Sequence, residues 1–104
     1  MPDDAPLSID VSAEGNCSTI RLAGELDVHT APALGDALTS AIDSGATSIE
    51  IDTTALMFCD SSGIQVLVQA RERASADGST VRLSGVHGSV EKVLSVTGLL
   101  ELFS

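Results

Sequence analysis

The sequence predicts an α/β fold, a mixed sheet of four to five strands with helices mainly on one face. Three observations predict it. Apolar and polar residues alternate in four short stretches, the period of strands with one wet face. Between the later stretches, apolar residues recur at spacings of three and four, the period of an amphipathic helix. The two patterns then alternate along the chain, which implies parallel crossovers. A sheet covered on both faces would read as continuous apolar runs instead.

The first strand is marked by Leu7, Ile9 and Val11, separated by Ser8 and Asp10. The turn "AEGN" (13–16) leads to a second strand in which Ile20 and Leu22 flank Arg21, and the pair reads as an antiparallel hairpin. A helix follows, with Leu34, Ala37, Leu38, Ala41 and Ile42 on one stripe. Thr30 is expected as its N-cap, Pro32 fits its first turn and Gly45 can end it. Ile49 and Ile51 around Glu50 mark the third strand. The second helix shows Ile64, Leu67 and Val68, then fades through "RERASADG", whose Arg71, Glu72 and Arg73 read as a solvated face. Val81 and Leu83 around Arg82 form the fourth strand. Val90, Val93 and Leu94 mark a third helix that stops near Gly98, and "LLELF" (99–103) is expected as a short fifth strand at an edge. The helices should pack on the face shared by Leu7, Ile9, Ile20, Leu22, Ile49, Ile51, Val81 and Leu83.

With 104 residues, the chain is the size of one domain, spanning 1–104. Aromatics are nearly absent, so the core must be aliphatic. The formal net charge is −10, from 15 acids against 5 bases. That balance argues against nucleic acid, which needs clustered Lys and Arg, and against an anionic membrane. It favours a partner with a basic face. No stretch is long enough for a membrane helix, and the acidic N-terminus "MPDDAPLSID" lacks an apolar signal region, so a cytoplasmic location is expected. Cys17 and Cys59 fit no metal or redox spacing and read as buried or half-buried free thiols.

Two strand-to-helix corners could carry chemistry, because ligands gather beyond the carboxyl ends of parallel strands. One is "GELDVHTAP" (24–32) and the other "FCDSSG" (58–63). Nucleophilic catalysis at Ser61 or Ser62 needs a base within reach, only His29 and His87 are available, and no Gly-x-Ser-x-Gly elbow is present. No catalytic residue is assigned. A nucleotide loop is absent, no Lys lies near the second corner, and Asp60 would repel phosphate, so no cofactor is expected. No cluster of His and carboxylates suggests a metal. Cys59 has no neighbouring base to lower its pKa. Asp27 can fix a turn. The serines can cap a helix, or a serine there can be phosphorylated with help from the helix dipole, and Gly63 leaves room for a partner's backbone. Residue type and spacing leave these readings open.

"GELDVHTAPAL" followed by "FCDSSGIQVLVQA" resembles the anti-sigma factor antagonists, small bacterial members of the STAS domain family. The similarity runs from the first strand to the terminal "VTGLLELF". The resemblance implies a STAS-like domain that acts in transcription regulation and stress response by partner switching. The unphosphorylated form binds an anti-sigma factor serine kinase and frees a sigma factor. Phosphorylation of Ser61, the serine directly after the aspartate, switches binding off, and a serine phosphatase resets it. The resemblance also implies a partner-binding surface of Asp27, Asp60, Ser61, Ser62 and Gly63 on a binding module that is no enzyme and is a monomer when free. Two departures stand out. Ile64 and Gln65 follow Gly63 where many members have a second glycine, and the chain ends before the extra terminal helix some members carry. The alternative is a non-switching STAS subunit of a transport or scaffolding complex, with Ser61 only a cap.

Overall fold

The computed structural model describes residues 6–103. The acidic stretch 1–5 lies outside the described residues, and with it the start of the segment read above as lacking a signal. The order of elements is β1 (Leu7–Glu14), β2 (Cys17–Leu26), α1 (Ala31–Asp43), β3 (Ser48–Cys59), α2 (Ser61–Ala76), β4 (Thr80–Ser84), α3 (Gly88–Val96) and a closing 3-10 helix (Leu100–Phe103). The strands lie side by side in the order β1-β2-β3-β4. β1 and β2 are antiparallel, and β2–β3 and β3–β4 are parallel across helical connections. The hairpin turns on Gly15 at φ +62°, the Gly-first geometry of a two-residue turn that matches the twist of its strands.

The strand register explains the packing. Ile9 pairs with Leu22, Ile20 with Ile51, Ile49 with Val81, and Ile51 with Leu83. These residues face one side, where Ile20, Leu22, Ile49, Ile51 and Val81 are buried with Leu34, Leu38, Leu67, Val90 and Leu94 of the helices. The other side carries a row of Asp10, Arg21, Asp52 and Ser84 and a row of Thr19, Glu50 and Arg82. Asp10, Arg21, Glu50 and Arg82 are all exposed there. One covered face and one wet face is what the alternation predicts.

Four expectations need correction. "LLELF" is not a fifth strand. Gly98 at φ +74° ends α3 with Leu99 N–H on Leu94 O, and the chain turns into the 3-10 helix that buries Phe103 to 1% exposure. Leu99–Leu100 and Leu102–Phe103 are adjacent apolar pairs on either side of Glu101, which breaks the alternation a strand needs, and among the described residues the sheet has four strands. α2 does not fade, because it continues to Ala76 on a buried stripe of Gly63, Leu67, Ala70 and Ala74. Within that stretch Arg71 is half-buried and its Nε donates to Leu102 O at 2.9 Å, so it is not simply a solvated residue. Cys17, expected to be buried or half-buried, is exposed at the start of β2, whereas Cys59 is buried.

Candidate functional site

Both corners lie where parallel strands end. Leu26, the last residue of β2, pairs with Cys59, the last of β3, and the Asp60 amide donates to Leu26 O at 3.1 Å. The strand register thus brings the two motifs to one end of the sheet.

The first corner is built on Asp27. Its Oδ1 accepts from the amides of His29 (2.9 Å) and Thr30 (3.1 Å), the local bonding that makes Asp a turn residue. Thr30 sits at the N-cap of α1 but makes no side-chain cap bond. Its hydroxyl instead donates to Glu25 O and accepts from the Asp27 amide, both at 2.9 Å. Thr30 thus holds the expected N-cap position, while its side chain serves as a loop clasp. Upstream, Gly24 at φ +112° lets the chain pass close by, since a Cβ there would sit 2.1 Å from Pro6 O.

At the second corner the cap is Asp60. Its backbone is extended, and Oδ1 accepts from the amides of Ser62 (2.9 Å) and Gly63 (3.2 Å). Ser61 is the first residue of α2 and is exposed, and its hydroxyl makes no hydrogen bond among the described residues. The reading of Ser61 as only a cap is corrected here, because the carboxylate beside it does that work. Ser62 is half-buried. Gly63 is buried, and a Cβ on it would lie 2.5 Å from Leu26 Cγ, 2.7 Å from Leu26 Cδ2 and 2.9 Å from Cys59 Sγ. The space expected for a partner's backbone is filled from inside: the glycine lets α2 sit down on the ends of β2 and β3. Burial, and then the neighbouring Asp60 charge, push the Cys59 thiol up to about 11, so it is a packing group at neutral pH.

β3 adds residues that sequence reasoning missed. Its pairing with β2 shifts twice, between Arg21 and Ala23 and between Gly24 and Glu25. Each bulge puts an extra residue on β3 and breaks the alternation. The buried positions run Ile49, Ile51, Thr53, then Leu56 and Cys59. Pairs of neighbours are therefore thrown outward together, and Met57 and Phe58 emerge 69% and 44% exposed. Val28, next to Asp27, is 60% exposed. Three large apolar side chains thus stand in water on the segments that carry Asp27 and Ser61. From the side of α3, Ser89 Oγ donates to Met57 O at 3.3 Å and His87 Nε2 to Thr54 O at 2.7 Å. The signal in the sequence was the run "ALMFC", too apolar for the wet face of a strand and wrongly spaced for the dry one.

Charge is uneven at this end. Glu25, Asp27 and Asp60 belong to the two corners, and no Lys or Arg lies between Gly24 and Thr30 or between Phe58 and Gly63. Among the described residues, no helix is long and apolar enough to cross a membrane.

Residues 9–103 match the family model described as "Mlab, STAS domain". The chain belongs to the STAS domain family. This STAS domain is 26% identical to the anti-sigma-B factor antagonist of Bacillus subtilis (strain 168) over 96 residues, covering 92% of this chain and 87% of that protein. Among solved structures it resembles the anti-sigma factor antagonist SpoIIAA in its unphosphorylated form, with a TM-score of 0.81 and 28% identity over 91% of this chain and 84% of that one. It also resembles the Bacillus cell fate determinant SpoIIAA in its phosphorylated form, with a TM-score of 0.74 and 27% identity, covering 91% and 87% of the two chains.

Proposed function

We propose that this STAS domain is a phosphorylation-controlled anti-sigma factor antagonist of the cytoplasm, monomeric when free. Its unmodified form binds an anti-sigma factor serine kinase and so releases a sigma factor. Phosphorylation of Ser61 ends the binding, and a serine phosphatase restores it. The observation that carries this reading is the division of labour at the second corner: Asp60 caps α2, which leaves the Ser61 hydroxyl exposed and unengaged. The likeness to a protein solved in both phosphorylated and unphosphorylated forms supports it. In the alternative reading, a non-switching STAS subunit of a transport or scaffolding complex, the helix cap falls to Asp60 rather than to Ser61.

The surface supports an interface mechanism rather than refolding. Val28, Met57 and Phe58 supply apolar anchors, and Glu25, Asp27 and Asp60 supply a negative rim for a basic partner. Phosphate adds roughly −1.5 to −2 charge at the first residue of α2. There the helix dipole stabilises an anion by roughly 0.3–1 kcal/mol, and repulsion from Asp60 offsets part of this, so the modified domain stays folded. Under a docked partner the same charge, left unpaired, costs roughly 2–5 kcal/mol, or about thirtyfold to several thousandfold in affinity. Ser62 sits at the rim of this contact, and Gly63 contributes by seating α2. Asp27 has a double role, since its carboxylate also holds the turn, and Asp27→Ala weakens docking partly by loosening that loop.

Calorimetric titration of the kinase with unmodified and phosphorylated domain tests the proposal, with circular dichroism alongside. The expected result is tight binding by the first form only, with both forms folded. Equal affinities would sink the switch, and an unfolded phospho-form would show that the interface mechanism is wrong.

A further inference from the structure

β1 is an edge strand, because it pairs with β2 alone. Its 8 residues all pair without a register shift, so no bulge twists this edge away. Glu14 and Cys17 close the two-residue turn and exchange their backbone bonds. Alternation then points the N–H and C=O of Ser12, Asp10 and Ser8 at β2, and Pro6 O keeps the phase by accepting from the Glu25 amide at 2.7 Å. The backbone groups of Ile9, Val11 and Ala13 therefore turn outward, and none has a partner among the described residues. This stretch is open. Ile9 is half-buried, Val11 is 51% exposed, and Ser12, Ala13 and Glu14 are exposed.

The two faces of this edge differ. On the helix side Val11 lies opposite the buried Ile20 yet stands half in water, at the end of an apolar ledge begun by Leu7 and Ile9. On the wet side Ser8, Asp10, Ser12 and Glu14 are exposed. Arg21 faces this row from β2, with Asp10 on one side and Asp52 on the other, and its Nη1 donates to Ser12 Oγ at 3.4 Å. Farther along that face Glu50 pairs with Arg82, and Glu14 lies opposite the uncharged Cys17. In these paired rows the carboxylates of Asp10, Glu14, Glu50 and Asp52 thus outnumber the guanidinium groups of Arg21 and Arg82. A hollow of about 230 Å³ opens beside Asp10, and its lining sets Asp10 and Asp52 against Arg21 alone. We propose that the β1 edge is a second docking surface, which takes an extended basic segment of a partner protein as an added antiparallel strand. The segment's backbone bonds Ile9, Val11 and Ala13, its apolar side chains cover Val11, and its alternate lysines or arginines lie beside Asp10 and Glu14. A second copy of this chain is the poorer occupant. β1 against β1 would bring two rows of Asp10 and Glu14 onto one face, between chains that each carry a net charge of −10. The surface is separate from the Ser61 corner. Val11 and Glu14 pair with the first half of β2, whereas Ser61 follows the end of β3 beside the end of β2, so the proposal stands or falls apart from the phosphorylation switch.

The test uses the full chain, labelled with ¹⁵N, and synthetic heptapeptides with capped ends, titrated by NMR. The first is Ser-Lys-Val-Lys-Val-Lys-Ser. The second has glutamate in place of each lysine, and the third keeps the lysines but has proline in place of each valine. The first is expected to bind at least about tenfold more tightly than either of the others, and to slow hydrogen exchange at the Ile9, Val11 and Ala13 amides. Val11→Pro removes an outward N–H and no bond to β2, so it should keep the fold and weaken the first peptide about tenfold. Ser61→Asp should leave that affinity within about twofold. Equal binding of the lysine peptides with valine and with proline would show that charge alone attracts them and would overturn the proposal, on the unaltered chain. Slowed exchange that avoids β1 would overturn it too. So would slow exchange at Val11 without peptide together with dimers in sedimentation, which would assign the edge to a second copy.

Discussion

Gly63→Ala is the sharpest probe of how the Ser61 corner is built. The added methyl would stand 2.5 Å and 2.7 Å from two carbons of Leu26, and 2.9 Å from Cys59 Sγ. Ordinary carbon contacts lie at about 3.5–4.0 Å, so something must move by about 1 Å. Leu26 is 0% and Cys59 4% exposed, so neither can swing into water. Overpacking of this kind costs about 1–3 kcal/mol. Ala gains at most about 1 kcal/mol over Gly in helix propensity, less at the first turn, so a net loss of about 1–2 kcal/mol is expected. With a urea slope of about 1–2 kcal/mol/M, the unfolding midpoint falls by about 0.5–2 M. A double-mutant cycle isolates the cause. Leu26→Ala alone opens a cavity at a cost of about 2–5 kcal/mol. Combined with Gly63→Ala, the new methyl occupies part of that cavity, so the two losses should fall short of their sum by about 0.5–3 kcal/mol. Strict additivity, or a Gly63→Ala domain more stable than the parent, would refute the packing argument and leave helix propensity as the governing effect.

Three further outcomes are expected. Asp60→Ala removes the cap that holds the Ser62 and Gly63 amides and should cost about 1 kcal/mol in urea unfolding, while Ser61→Ala, which removes no cap, should stay within about 0.5 kcal/mol of the parent. Asp52 accepts from the Thr54 hydroxyl at 2.6 Å and from the Thr54 amide at 2.9 Å, which holds its carboxyl below the usual carboxylate range. A folded-state pKa below the unfolded one means that its stabilisation is present above about pH 4 and is lost as pH falls through the folded pKa. Carboxyl titration by NMR should therefore show the Asp52 pKa rising in Thr54→Val, and an unchanged value would discount the hydroxyl. Finally, a thiol reagent at pH 8 should modify exposed Cys17 readily and buried Cys59 only after denaturation, so immediate reaction of two equivalents would contradict the packing of the corner.

The sheet was legible in the sequence because its dry face is written in β-branched and leucine residues at period two, from Ile20 and Leu22 to Val81 and Leu83. α1 was legible because its stripe uses Leu and Ile. The second half of α2 was harder to read, since its buried positions there are Ala70 and Ala74, whose small side chains carry little hydrophobic signal. The end of β3 could not be read from periodicity, because two bulges reset the alternation and only the partner strand reveals them. Met57 and Phe58 were missed for that reason. Both corners could be located, since strand ends before helix starts are where Gly, Asp and Ser collect. Their internal roles could not be separated. Asp60 and Ser61 are both good capping residues, and only the hydrogen bonds to Ser62 and Gly63 assign the cap to the carboxylate. Thr30 stands at the N-cap position the sequence indicates, but its hydroxyl bonds the Glu25 carbonyl rather than a helix amide.

The pairing of Leu26 with Cys59 and the bond from Asp60 to Leu26 O also govern when the corner comes into being. Adjacent strands stand about 4.8 Å apart, yet all of α1 and β3 lie between these residues along the chain. Closing that crossover is a non-local step whose entropic cost precedes its reward, so the corner exists only once the crossover has closed. The segment Asp60–Gly63 in a nascent or unfolded chain has the same letters but not the same neighbours. An enzyme or partner that engages Asp27 and Ser61 together recognises completed tertiary structure, and unfinished copies of the chain escape it.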